Sequence, residues 1–330
     1  MPEFNLLGLR RPICAMATRE VDFEVEARRA RVYTLSQRLT VKRLKTMSTV
    51  QEKGYAHPES LVDADWVEEH RKDGSIKLVE VDVDTNAYSE GHIPGAVAWN
   101  WTSQLSDNVR RDILSKEALE ELLGKSGISN DDSIVLYGDN NNWFAAFALW
   151  ILKMYGHEKV VLMDGGRKKW VADGRELTTQ DENPTPATYT AKEADKSLRS
   201  NVREVLDIVD NGNYELVDVR SPAEFSGEVI APPGMTETAQ RAGHVPGAKS
   251  IPWALTVEED GTFKSSDALR DLYKSRGISF EKPIVAYCRI GERSSHTWFV
   301  LTYLLGEKGA KNYDGSWTEY GSMVGVPIEK

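Results

Sequence analysis

The chain has 330 residues and a formal net charge of −10, with 40% apolar and 28% charged residues. That is room for two domains of ordinary size, and no stretch approaches the eighteen or more apolar residues of a membrane span. An acidic body lacks the basic footprint that nucleic acid or an anionic membrane surface needs, so neither is expected as a partner.

Residues 1–46 carry ten Lys and Arg against five Asp and Glu. They hold no apolar run long enough for a signal-peptide core and too many acids for a transit sequence. They read as an extension of unassigned role, and Met47-Ser48 offers an alternative start. Two cysteines, Cys14 and Cys288, are too few for a disulfide framework and suit a reducing compartment, which predicts a cytoplasmic protein.

From residue 47 the chain repeats itself. A buried strand is predicted at Leu78–Val83 and again at Glu215–Val219. Asp82 with Gly91-His92-Ile93-Pro94-Gly95-Ala96 recurs as Asp218 with Gly243-His244-Val245-Pro246-Gly247-Ala248. Gly and Pro set the turn, and the histidine, present in both copies, is assigned to bracing it. Helices ending near Gly124 and Gly277 follow, then strands at 134–137 and 284–287. Apolar helices come next, Trp143–Met154 and Ser294–Leu305, stopped by Gly156 and Gly306. Asp164-Gly165-Gly166 recurs as Asp314-Gly315-Ser316. Alternating strands and helices predict an α/β fold of two tandem domains, 47–180 and 198–330, each a parallel sheet flanked by helices. The polar, Pro-bearing stretch that opens at Asp181 makes 181–197 the linker.

The chemistry-bearing segment is the loop Cys288-Arg289-Ile290-Gly291-Glu292-Arg293, with Ser294-Ser295 opening a helix. A strand–loop–helix turn aims successive backbone N–H groups and the positive helix end at one point, which favours an anion. With Arg289 and Arg293 beside it, the Cys288 thiol is expected to fall from about 8.5 into the roughly 3.5–7.5 range of activated cysteines. Asp218 and Arg220, just past the neighbouring strand, are expected to form an ion pair that braces the loop. Trp317 is a candidate for the pocket mouth. Glu258-Glu259-Asp260 reads as a solvated surface, and no metal-ligand spacing appears.

The Asp218-Val219-Arg220 segment, the repeated Gly-His-x-Pro-Gly-Ala turn, and Tyr287-Cys288 with its six-residue loop resemble the rhodanese family over residues 57–330. The resemblance implies a sulfurtransferase in which Cys288 forms a persulfide and Arg289, Ile290, Gly291, Glu292, Arg293 and Ser294 bind the substrate. Asp218, Arg220, His244 and Trp317 would support that loop. The donor would be a small sulfur-bearing anion and the acceptor a thiol or cyanide, with no metal or organic cofactor. Alignment of the copies puts Gly138 where Cys288 stands and Asp84 where Arg220 stands, so the first domain is expected to be inert and structural. Two arginines in the loop favour thiosulfate over 3-mercaptopyruvate. Against this, Ile290 and Glu224 occupy positions that carry a substrate-binding Lys and Arg in animal thiosulfate enzymes, and Arg293 would replace that Lys. A cysteine phosphatase would need arginine at position 294, which is Ser294. A non-catalytic sulfur-binding module would fit the first copy better than the second.

Overall fold

The computed structural model describes residues 50–232, 234 and 238–330; the 1–46 extension and Cys14 lie outside them. Two parallel five-stranded sheets with flanking helices account for most of the described chain. The first comprises β1 (Leu61–Val62), β2 (Ile76–Glu80), β3 (Ala96–Ala98), β6 (Ser133–Tyr137) and β7 (Val160–Met163). Their order is β1-β7-β6-β2-β3. Between β3 and β6 runs a small antiparallel hairpin, β4 (Ser106–Asp107) with β5 (Asp112–Ile113). The second sheet comprises β8 (Arg199–Ser200), β9 (Glu215–Asp218), β10 (Lys249–Ser250), β11 (Ile284–Tyr287) and β12 (Lys311–Tyr313). Read as β8-β12-β11-β9-β10, it has the topology of the first. The central strands β6 and β11 are β-branched, apolar and buried almost throughout, as a sheet covered on both faces requires.

The register corrects the alignment of the two copies by two residues. Glu80 pairs with Tyr137 on the neighbouring strand and Asp218 pairs with Tyr287. Glu80 is therefore the counterpart of Asp218, and Asp82, not Asp84, stands where Arg220 stands. Each of these buried carboxylates has an arginine, drawn from a different element. Arg167, from the helix Gly166–Ala172, reaches Glu80 at 2.5 Å, whereas Arg220 reaches Asp218 at 2.6 Å from the end of its own strand. The helix Lys116–Lys125 ends near Gly124 as expected, and the left-handed glycine that matches Gly277 is Gly127.

The helix Asp139–Met154 of the first half packs against Glu292–Phe299 of the second. Aromatic rings fill the seam: Trp143 meets Trp253 with centroids 5.5 Å apart, and Phe263 meets Phe299 at 5.5 Å. Every residue from Glu292 to Phe299 is buried. The helix then loosens into a π-helical turn, Val300–Leu304, rather than running regularly to Leu305.

The halves also clasp each other through reciprocal polar contacts. Asp164 accepts the Phe263 N–H at 2.8 Å and the Lys53 ammonium at 2.9 Å, and Lys53 also donates to the Phe263 carbonyl at 2.7 Å. On the opposite side Arg111, from the β4–β5 hairpin, donates to the Ile290 carbonyl at 3.2 Å. Arg199 bridges Asp112 and Asp314 at 2.7 and 2.6 Å.

Burial pushes the Asp164 carboxyl up, with Lys53 and the Phe263 N–H opposing it. Lys53→Met would leave this carboxylate without its cation, at a cost of about 3–5 kcal/mol, the usual range when one partner of a buried pair is removed. Urea unfolding should show that loss, and the double variant Lys53→Met, Asp164→Asn should recover part of it. Wild-type stability in the single variant would mean that the pair does not hold the halves together.

Candidate active site

Strand β11 ends at Tyr287, and the next residue, Cys288, has a fully buried side chain. The loop that follows is pinned by the turn after β12. Ser316 Oγ accepts the Cys288 N–H at 3.1 Å, and the N–H groups of Trp317 and Thr318 donate to the carbonyls of Cys288 and Arg289. Gly291 is in the left-handed region at φ 96°, and a Cβ there would lie 2.8 Å from the Asp314 Cα. Only glycine lets the loop come this close, and its N–H then points at the sulfur, 3.2 Å away. Ser294 lies in the first turn of the helix that starts at Glu292, and its hydroxyl donates to Asn312 Oδ1 at 2.6 Å.

The charged residues of the loop are committed to one another. Arg293 makes a two-pronged pair with Glu224, at 3.1 and 3.0 Å, and lies over the Trp143 ring at 5.7 Å. Glu224 is fixed by a capping box with Ser221 at the start of the helix Pro222–Phe225. The Arg289 guanidinium is 3.7 Å from Glu292 Oε1, and the Cys288 thiol donates to Glu292 Oε2 at 3.3 Å.

These partners reverse the expected electrostatics of the sulfur. Burial pushes the Cys288 thiol up and the Glu292 carboxylate pushes it further, outweighing Arg293 and the Ser294 amide, which favour the thiolate. The thiol at rest is thus shifted upward, not into the activated range that loop and helix dipoles alone would give.

The supporting residues sit beneath the loop. Arg220 chelates Asp218, donates to the Gly243 carbonyl at 2.7 Å, and lies 4.8 Å over the Trp317 ring. Through Gly243 it ties the strand end to the Gly-His turn. His244 shares a hydrogen bond with the Phe225 carbonyl at 2.9 Å and stacks on the Phe225 ring. Trp317 is buried, donating its indole N–H to the Arg241 carbonyl at 3.0 Å. It is a floor to Arg220 and not part of a pocket mouth.

A cavity of about 200 Å³ lies above the loop, lined by Ile290, Glu292 and Asp314 from the second half. Trp101, Phe144 and Arg111 of the first half complete it. The half without a cysteine therefore walls the site and is more than a scaffold. Sequence reasoning missed this, because residues more than a hundred positions apart leave no local pattern; the Arg110-Arg111 doublet was the one visible sign.

The corresponding loop of the first half is filled by its own side chains. Asn142 accepts the Gly138 N–H at 3.0 Å and donates to the Met163 carbonyl at 2.6 Å. Asp139 takes the N–H groups of Val83 and Asp84. Asn140, Asn141 and Asn142 are all left-handed, and a Cβ on Gly138 would collide with the Val81 carbonyl oxygen. A cysteine cannot stand there without moving a strand. Among the described residues no group of three His, Cys, Asp or Glu side chains is placed to hold a metal ion, and no helix is long and apolar enough to cross a membrane.

The rhodanese-like domain model matches residues 63–173 and 201–323. The chain is 55% identical over 272 residues to a Saccharopolyspora erythraea protein named "Putative thiosulfate sulfurtransferase", covering 82% of this chain and 96% of that one. It is 53% identical over 281 residues to the "Sulfur carrier protein TtuD" of Thermus thermophilus, covering 84% and 99%. Among solved structures, a persulfide form of EanB with ergothioneine superposes with a TM-score of 0.74 at 24% identity, over 84% of this chain and 71% of that one, a likeness of fold.

Glu224 provides a test of the charge pairing. Burial opposes ionisation of its carboxyl, but Arg293 and Ser221 hold it below the usual range. A carboxylate lowered in the folded state stabilises above its unfolded value and loses that contribution as pH falls through the folded one. Wild type should therefore be more stable than Glu224→Gln at neutral pH, and the gap should close below about pH 4. With Arg293 released, Cys288 should also alkylate with a lower pH midpoint. An unchanged midpoint would show that Arg293 does not act on the sulfur.

Proposed function

Because the chain belongs to the rhodanese family, we propose that it is a sulfurtransferase that carries the outer sulfur of thiosulfate to a thiol or cyanide as a persulfide on Cys288, releasing sulfite. The observation that carries this reading is the position of Cys288. Its sulfur lies at the end of a central strand, with the Gly291 N–H directed at it and a helix beginning beside it. An ionised sulfur there attacks the sulfane sulfur, and the new persulfide remains among the same N–H groups, which need no reorganisation as charge moves. Cys288 is the nucleophile, and residues 289–294 form the cradle.

Thiosulfate is preferred to 3-mercaptopyruvate chiefly because of the relatives. The two loop arginines favour it less than their presence suggests, since Arg293 is bound to Glu224 and Arg289 lies beside Glu292. A phosphatase reading has less support still: it lacks the required spacing, and its arginine would have to leave Glu224. The sparse cysteines favour a reducing, cytoplasmic setting.

Intact-protein mass spectrometry tests this directly. Thiosulfate should add one sulfur atom per chain, cyanide should remove it, and mercaptopyruvate should add less under the same conditions. Cys288→Ser should take up none while keeping the wild-type melting curve. Sulfur uptake by Cys288→Ser, or none by the wild type from either donor, would overturn the assignment.

A further inference from the structure

We propose that Glu292 is the proton carrier of Cys288, taking the thiol proton in the first half of the cycle and returning one in the second; this rests on the sulfurtransferase reading above. The thiol already donates to Glu292 Oε2 at 3.3 Å, so the path for the proton exists before any donor arrives. The other oxygen, Oε1, is buried without a hydrogen-bond partner, its nearest cation being Arg289 at 3.7 Å. A carboxylate left half-satisfied in the interior is costly, and a catalytic task is one reason such a group is kept. Glu292 both touches the sulfur and lines the cavity above the loop, so it joins Cys288 to a space open to a substrate. Its counterpart in the first half is Asn142, which fills its loop through two hydrogen bonds and has no proton to exchange.

The histidines of the second half are occupied elsewhere. His244 is held at the Phe225 carbonyl. His296 lies between the rings of Trp253 and Phe263, and burial pushes it down to about 3, so it stays neutral. The other charged groups near the pair are Arg293, bound to Glu224, and across the cavity Asp314 with Arg199 and Arg111.

The atoms balance with one proton in each half of the cycle. Glu292 takes it from Cys288. The resulting thiolate attacks the outer sulfur of thiosulfate, forming one S–S bond as the other breaks, and the bonding pair leaves on sulfite. Glu292 protonates that sulfite, which departs as bisulfite and leaves an anionic persulfide. In the second half an acceptor thiol gives up its proton, attacks the outer sulfur and leaves as an anionic persulfide, and Cys288 recovers a proton through Glu292. The cyanide anion has no proton to give up and leaves as thiocyanate, so its attack needs no carrier when discharge is run at a pH where the anion, not hydrogen cyanide, predominates.

This asymmetry supplies the test. Glu292→Gln and Glu292→Asp are to be compared with wild type, first by titrating the Cys288 thiolate absorbance in unreacted protein, then by single-turnover discharge of the persulfide. Without the carboxylate charge the thiol of Glu292→Gln should ionise at lower pH. Discharge to a small thiol should slow by about 10²–10⁴-fold, the usual range for loss of general acid–base help. Discharge to the cyanide anion should slow far less than discharge to the thiol, and Glu292→Asp should restore part of the thiol rate. Equal slowing with both acceptors would mark Glu292 as merely structural, and unchanged thiol discharge or an unchanged titration would also overturn the proposal. The titration needs no sulfur transfer. If the wild type takes sulfur from no donor, the sulfurtransferase reading fails while the contact between Glu292 and Cys288 is still measured.

Discussion

The packing of one helix onto another, Glu292–Phe299 against Asp139–Met154, is the constraint from which the site follows. A helix that covers its own sheet on one side and a second domain on the other has no face left for water. The loop at its N-terminus is enclosed with it, so its charges cannot be solvated and must be satisfied inside. Arg293 takes Glu224, Arg220 takes Asp218, and Arg289 lies beside Glu292. Pairs of this kind gain little net stability, because desolvation offsets most of their attraction. Their effect is geometric: each fixes a loop or strand end from a different direction, and together they hold the sulfur of Cys288 in one place.

The same packing explains why two copies are present when one carries a cysteine. Neither helix could bury its outer face alone, and the reciprocal contacts at Asp164 and Asp314 close the pair from both sides. The loop of the first half is then free to trade chemistry for stability. Asn142 occupies its interior and Asp139 caps the neighbouring strand end. What the first half gives the site is a wall, through Trp101, Phe144 and Arg111.

The repeat, the parallel sheets and the loop at Cys288 were legible because they rest on local patterns: β-branched runs, turn residues and a strand giving way to a helix. Two kinds of information were not. Sequence identity aligns Asp82 with Asp218, two residues out of register, whereas the equivalent carboxylate is Glu80, whose arginine comes from another element. Partners of charges were also out of reach. Arg289 and Arg293 read as free cations beside the sulfur, since the Glu224 that binds Arg293 lies 69 positions away. Nothing in the sequence of a loop with three charged residues shows a second domain lying over it. The expected fall of the Cys288 thiol is reversed for that reason, and Trp317, a candidate for the pocket mouth, lies under Arg220 instead, with its backbone N–H on the Cys288 carbonyl.

Burial of the nucleophile works in two directions. It opposes formation of the thiolate, because an isolated charge in the interior costs more than the loop dipoles return. On the proposed sulfurtransferase reading it also excludes water from the Cys288 persulfide and strengthens every hydrogen bond aimed at it. An enzyme that must both make and hold a reactive sulfur gains from the second effect throughout the cycle, and meets the first only at the moment of ionisation. A neighbour that accepts one proton at that moment removes most of the cost without changing the net charge of the pair. In this chain the group in contact with the sulfur is Glu292. Arg289 lies 3.7 Å from the second oxygen of that carboxylate, and so bears on the charge of the acid while the first oxygen keeps its contact with the thiol.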